Sequence, residues 1–81
     1  MQSKTLAELD RGQMATIEAI HVADPQVQRL MTLGLVEGAV VEFAGSALGG
    51  DPLEFRLFGR GISLRREQAR HFTVSTVATG G

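Results

Sequence analysis

His21 and His71 are the side chains in this sequence best suited to metal or proton chemistry, and Asp24 lies near enough to His21 to join them. Together they would offer a divalent transition metal nitrogen and oxygen donors. No H-x-x-x-H pair and no carboxylate–histidine spacing supports such a site, so each histidine reads more simply as a strand-end residue bonded to backbone or solvent. No metal site and no cofactor is therefore expected. Nucleophilic chemistry has less support still. Ser46, Ser63 and Ser75 lack a nucleophile-elbow motif, cysteine is absent, and the carboxylates are scattered along the chain. A domain this small also lacks room for a typical ligand pocket of roughly 300–1,000 Å³. The chain is not expected to be an enzyme.

Two glycine-rich stretches raise the question of phosphate binding. Neither Gly45-x-x-x-Gly49-Gly50 nor Gly59-Arg60-Gly61 is followed by Lys-Ser or Lys-Thr, and neither opens a long helix. Hairpin turns explain both. Five arginines, Arg56, Arg60, Arg65, Arg66 and Arg70, form a basic run in the C-terminal half. Nucleic-acid-binding barrels interleave such arginines with exposed aromatic rings. Here the aromatics are four phenylalanines, three of them in strand-interior positions, and the net charge is −1. A solvated or protein-facing patch is the better reading, and no nucleic acid is expected as partner.

The elements that must position these residues are short. Eighty-one residues with 43% hydrophobic and 21% charged side chains make one ordinary globular core. A chain of this length buries only about 60–65% of its unfolded surface, and no disulfide or thiolate metal site is available to reinforce it. Nowhere do roughly 18 consecutive apolar residues occur, and the N-terminus has no apolar run behind it. Neither membrane insertion nor a secretion signal is expected, which leaves a soluble cytoplasmic domain over residues 1–77 with a flexible tail at 78–81.

Ten glycines punctuate the chain. Thr5–Leu9 reads as one helical turn capped by Thr5, with Leu6 and Leu9 facing the core. The first strand runs from Met14 to Val22. Ile17 and Ile20 stand an odd number of residues apart, so a bulge near Glu18-Ala19 is expected to bring both toward the core. Asp24-Pro25 opens a helix, with Asp24 as cap and Pro25 where its missing N–H costs nothing. Val27, Leu30 and Met31 form its apolar stripe, Gly34 ends it, and Leu35 folds back on the stripe. Further strands are expected at Val40–Ala44, Leu53–Leu57, Ile62–Leu64 and Phe72–Thr76, with one helical turn at Arg66–Arg70 presenting Ala69 inward. The fold class is all-β: a small five-stranded barrel with one short α-helix inserted after the first strand.

Val27, Leu30, Met31 and Leu35 suffice to cover the mouth of such a barrel. Leu33 and Val36 are then surplus apolar residues. They are either isolated surface side chains without consequence or a small docking patch rimmed by Arg29 and Glu37.

The ordered set Leu6-x-x-Leu9-x-x-Gly12, Ile17-x-x-Ile20, Arg29-Leu30-x-x-Leu33-Gly34-Leu35-x-x-Gly38, Asp51-Pro52-Leu53 and Gly59-x-x-Ile62-x-Leu64-Arg65-x-x-x-Ala69 resembles the ferrous-iron transport protein A (FeoA) family. The resemblance covers residues 5 to about 77. It implies an SH3-like barrel and a cytoplasmic accessory role in bacterial Fe(II) uptake, through association with the GTPase-containing membrane transporter FeoB. It also implies kinship with the C-terminal domains of iron- and manganese-responsive repressors. A contact surface is then expected along the helix exit, with Leu33 and Leu35 as apolar contacts, Arg29 and Arg65 as charged ones, and Gly34 and Gly38 shaping the backbone. One departure is Glu37, where the family often has proline before the turn glycine. Small barrels also pair through their edges, so association with a second copy is open.

Overall fold

Leu53–Leu57 and Arg60–Leu64 alternate apolar and polar residues, and the structure pairs them as the strands of a tight antiparallel hairpin. Leu53, Phe55 and Leu57 point inward with Ile62 and Leu64, while Arg56 and Ser63 face solvent. The chain is described by a computed structural model over residues 4–21 and 24–77. Val22, the expected end of the first strand, and the tail at 78–81 lie outside the described residues.

In chain order the strands are β1 (Lys4–Thr5), β2 (Met14–Ile20), β3 (Val40–Ser46), β4 (Leu53–Leu57), β5 (Arg60–Leu64) and β6 (Phe72–Thr76). Helix α1 (Pro25–Thr32) lies between β2 and β3, and the one-turn helix α2 (Arg66–Ala69) between β5 and β6. They form one antiparallel sheet in the order β1-β6-β2-β3-β4-β5. The five strands expected from sequence are all present. The sixth, β1, is only two residues long, below what alternation can signal, and it exists because Lys4 and Thr5 pair with Val74 and Thr73.

Thr5 also caps the 3-10 turn at Leu6–Glu8, whose Glu8 carboxylate accepts the Thr5 backbone N–H at 2.7 Å. Leu6 and Leu9 are buried as their spacing requires. In the β2–β6 ladder the register shifts between Ile17 and Ala19, so the bulge falls where the odd isoleucine spacing demands it. Ile17 is buried and Ile20 packs partly buried against the same core.

β1 and β5 form the two sheet edges, and α2 packs on the 3-10 turn across the gap between them. Arg66, the first residue of α2, fastens this closure. Its guanidinium donates to the Ala7 carbonyl at 3.3 Å and the Gly50 carbonyl at 2.9 Å, while its backbone N–H donates to the Asp51 carboxylate at 2.9 Å. Buried apolar side chains from every strand except β1, among them Ile17 of β2, Val41 of β3, Phe55 of β4, Leu64 of β5 and Phe72 of β6, are joined by Val27 and Leu30 of α1 and fill the interior. No buried side-chain polar atom among the described residues lacks a hydrogen-bond partner.

Candidate functional site

Asp24 accepts the Val27 N–H at 2.8 Å and Pro25 occupies the first turn, so α1 starts where its sequence dictates. Its end is equally well specified. The Leu35 N–H donates to the Leu30 carbonyl at 3.1 Å and the Gly34 N–H to the Met31 carbonyl at 3.0 Å. This is a Schellman motif, and it requires Gly34 in a positive-φ conformation, here +112°. Beyond it, the Ala39 N–H donates to the Val36 carbonyl at 3.0 Å with Gly38 at φ +90°, the pattern of a type II turn with Glu37 at its second position. Proline suits that second position, and glutamate is accepted there without disturbing the turn. The Gly38 N–H then donates to the Ile17 carbonyl at 2.8 Å, pinning the corner to β2 at its bulge.

This corner divides its leucines sharply. Leu30 and Leu35 belong to the core, whereas Leu33 is 45% exposed and Val36 is 39% exposed. Leu35 is 0% exposed, so its expected role as a partner contact is corrected: the motif that caps the helix turns its side chain inward. Leu33, Gly34, Gly38 and Arg29 do lie together at the helix exit, with Arg29 exposed one helical turn before Leu33.

Arg65 is placed differently from expectation. It follows Leu64, which pairs with Leu53, at the end of β5 remote from the β4–β5 turn. Its backbone N–H donates to Gln68 Oε1 at 3.0 Å, and Gln68 Nε2 donates to Gln26 Oε1 at 2.8 Å. Arg65 therefore neighbours the start of α1, about 10 Å along the helix from Leu33 at 1.5 Å per residue.

One residue of this surface escaped the sequence reading. Gly34 packs against the β4–β5 turn, where a Cβ on it would stand 3.2 Å from both Leu57 Cδ2 and Phe58 Cε2. Phe58 is 78% exposed, the most exposed of the large apolar side chains near the helix exit. Leu33, Val36 and Phe58 thus give one corner of the molecule an apolar surface, with Gly34 as its floor. The available signal was Phe-Gly standing between two alternating runs, at a two-residue hairpin turn where Asn-Gly is the usual pair. Leu48 is fully exposed but stands in the separate loop between β3 and β4.

The five-arginine run does not form one patch. Arg66 is committed to the loop carbonyls described above. Arg56 faces outward from β4, directly opposite Glu42 in the β3–β4 register. Arg60 stands beside the hairpin turn, while Arg65 and Arg70 flank α2.

The histidines sit together at the ends of β2 and β6, where the His21 N–H donates to the His71 carbonyl at 2.9 Å. The His21 imidazole is hydrogen-bonded through Nε2 to the Thr73 hydroxyl. Asp24 spends one carboxylate oxygen on the α1 cap. No group of three or more His, Asp or Glu side chains among the described residues is arranged to hold a metal ion. A hollow of about 260 Å³ lies on the outer sheet face, lined by residues that include Glu54, Arg56, Gly59 and Gly61. No helix among the described residues is long and apolar enough to cross a membrane.

A six-stranded antiparallel sheet with a helix inserted after β2, and a helical turn before its last strand, defines a small SH3-like barrel. The family model for the FeoA domain matches residues 4–76, and the chain belongs to the FeoA family, which is linked to ferrous iron transport. The solution structure of FeoA protein from Chlorobium tepidum is 33% identical, with a TM-score of 0.87 over 96% of this chain and 74% of that one. A FeoA-like protein from Clostridium acetobutylicum is 26% identical, with a TM-score of 0.83 over 100% of this chain and 94% of that one. FeoA of Stenotrophomonas maltophilia, crystallised with zinc and described as a procaryotic SH3 domain protein, is 29% identical. It superposes with a TM-score of 0.76 over 89% of each chain. No curated protein sequence matches the chain.

Proposed function

We propose that this chain is a cytoplasmic accessory protein of bacterial ferrous iron uptake. It docks on the cytoplasmic face of a FeoB-type transporter through the corner where α1 ends. The observation that carries this reading is the exposure of Leu33 and Val36 on a backbone fixed by the Schellman motif and the following turn. A surface held this rigidly loses little conformational freedom on binding, which favours affinity from a small contact. Family membership supplies the transport context. The Stenotrophomonas relative's description as a possible ferrous iron transport activating factor supports the same role. The protein acts by binding, favouring one state or assembly of the transporter, and performs no chemistry of its own.

The test is a pulldown of the tagged protein from detergent-solubilised membranes, read by mass spectrometry. The wild-type chain is expected to recover the transporter. Leu33→Asp is expected to lose it while keeping the wild-type circular dichroism spectrum, because Leu33 lies outside the core. Failure of the wild-type chain to recover the transporter, or equal recovery by Leu33→Asp, would overturn the reading.

A further inference from the structure

We propose that Phe58 is the apolar anchor of this docking corner, and that it receives an acidic protein segment whose large apolar side chain seats between Phe58 and Leu33. The inference rests on the docking reading above and names the chemistry of the partner segment.

Local structure does not account for a phenylalanine at position 58. Leu57 and Arg60 pair directly, so Phe58 and Gly59 form a two-residue turn, with φ of +54° and +78°. Both central residues at positive φ define the type I′ hairpin turn, which favours Asn, Asp or Gly at the first position. Among the described residues, Phe58 is the one non-glycine residue at positive φ. A bulky side chain is strained there, and such strain concentrates at functional positions. Burial does not repay it, because the ring is 78% exposed.

The Phe58 ring is seated on the helix exit. Its edge lies against Gly34, the helix-ending glycine, where a Cβ would crowd the ring at 3.2 Å from Cε2 and 3.7 Å from Cδ2. The turn that caps α1 and the turn that joins β4 to β5 are thereby brought into contact, with exposed Leu33 next to Gly34 in the chain and exposed Phe58 packed against it. Such a corner offers apolar surface from two elements to an aliphatic or aromatic side chain presented by another chain.

Charge supplies the identity of that chain. Arg29 lies one helical turn before Leu33, and Arg60 lies two residues beyond Phe58. Both are exposed, and neither guanidinium takes part in a hydrogen bond or ion pair among the described residues. Arg65 adds a third positive group farther along α1, reached through the Gln68–Gln26 bridge. Glu37 is the acidic residue of the rim, placed beyond Val36 on the loop. The corner is thus bordered by cations on both the helix and hairpin sides. It complements a segment carrying Asp or Glu around its apolar anchor.

The experiment places the photoreactive aromatic residue p-benzoylphenylalanine at position 58 of the full chain in bacterial cells. Irradiation is followed by mapping of the adduct by mass spectrometry. The expected adduct is to a segment of the transporter's cytoplasmic part that has a net negative charge. Its yield should fall at least tenfold in a second variant that also carries Arg29→Glu and Arg60→Glu. An adduct to a basic or uncharged segment, to lipid or to a second copy of this chain would overturn the inference, as would no adduct. So would an adduct insensitive to the charge reversals. The pulldown separates the two failures. Transporter recovered without the acidic adduct removes this inference alone, whereas no transporter recovered removes the docking reading beneath it.

Discussion

Two corners of this barrel are built from the same ingredients and put them to different uses. At one end of the β4–β5 hairpin, Arg66 ties the Ala7 and Gly50 carbonyls together while Asp51 holds its backbone N–H, so both charged groups are spent on backbone partners of the same molecule. At the other end, Arg29 and Arg60 stand free of such bonds among the described residues, beside the exposed side chains of Leu33 and Phe58. Glycines and arginines mark both places in the sequence. One corner is closed by its own hydrogen bonds, and the other is left to be completed from outside. The difference shows that a basic, glycine-rich stretch acquires its meaning from where its donors point.

The strongest test of that division lies within the helix exit itself, where Leu33 and Leu35 flank Gly34. Leu35→Ala removes a side chain with no exposed surface and should destabilise the fold by about 2–5 kcal/mol. A domain of this size is stable by only on the order of 5–10 kcal/mol, so that loss would bring the protein near unfolding at physiological temperature. Leu33→Ala should cost about 0.5 kcal/mol or less and act on partner recovery instead. Urea denaturation of the two variants measures both numbers. Comparable losses from the two leucines would erase the distinction between core and docking face.

A smaller effect is expected from the arginines. Arg66→Ala deletes a guanidinium bonded to two loop carbonyls and should cost about 1.5–3 kcal/mol. Arg60→Ala should leave the denaturation midpoint near the wild-type value, because that side chain supports nothing within the described structure. Hydrogen exchange adds a local readout. Amides of the Leu6–Glu8 turn and of the Leu48–Gly50 segment should lose protection in Arg66→Ala, since that arginine spans both. If Arg60→Ala destabilises as much as Arg66→Ala, the hairpin corner is a structural device like the other.

Most of the fold was legible because its signals are local. Asp24-Pro25, Gly34 and the Val27–Leu30 stripe each carry a backbone requirement that few other residues meet, and α1 begins and ends on them. The odd spacing of Ile17 and Ile20 located the bulge before any pairing was known. What stayed hidden depends on tertiary contact. The two-residue strand β1 exists only because β6 is there to pair with it. The split of the arginine run was invisible because Arg65 and Arg66 are adjacent in sequence. One bonds through its backbone N–H to Gln68, which in turn bonds Gln26 of α1, and the other reaches across the barrel gap to two carbonyls. Leu33 and Val36 were readable as surplus to the core, but only the packing of Gly34 on the hairpin turn joined them to Phe58.

One further effect is modest and has an unusual sign. Gly34 and Phe58 touch and both lie at positive φ, but glycine is the residue such a backbone asks for and phenylalanine is not. Phe58→Asn places a side chain that tolerates the left-handed region in the first position of the type I′ turn. It gives up little burial, because most of the ring already faces solvent. The variant should therefore be more stable than the wild type by about 0.5–1 kcal/mol. In a domain of this size 1 kcal/mol raises Tm by roughly 4–8 °C, so the gain is within reach of calorimetry. The same exchange should weaken recovery of the transporter, because the anchor is gone. A rise in Tm together with loss of binding separates a residue kept for contact from one kept for folding. A fall in Tm would mean that the ring braces Gly34 and the helix exit, making Phe58 a part of the fold.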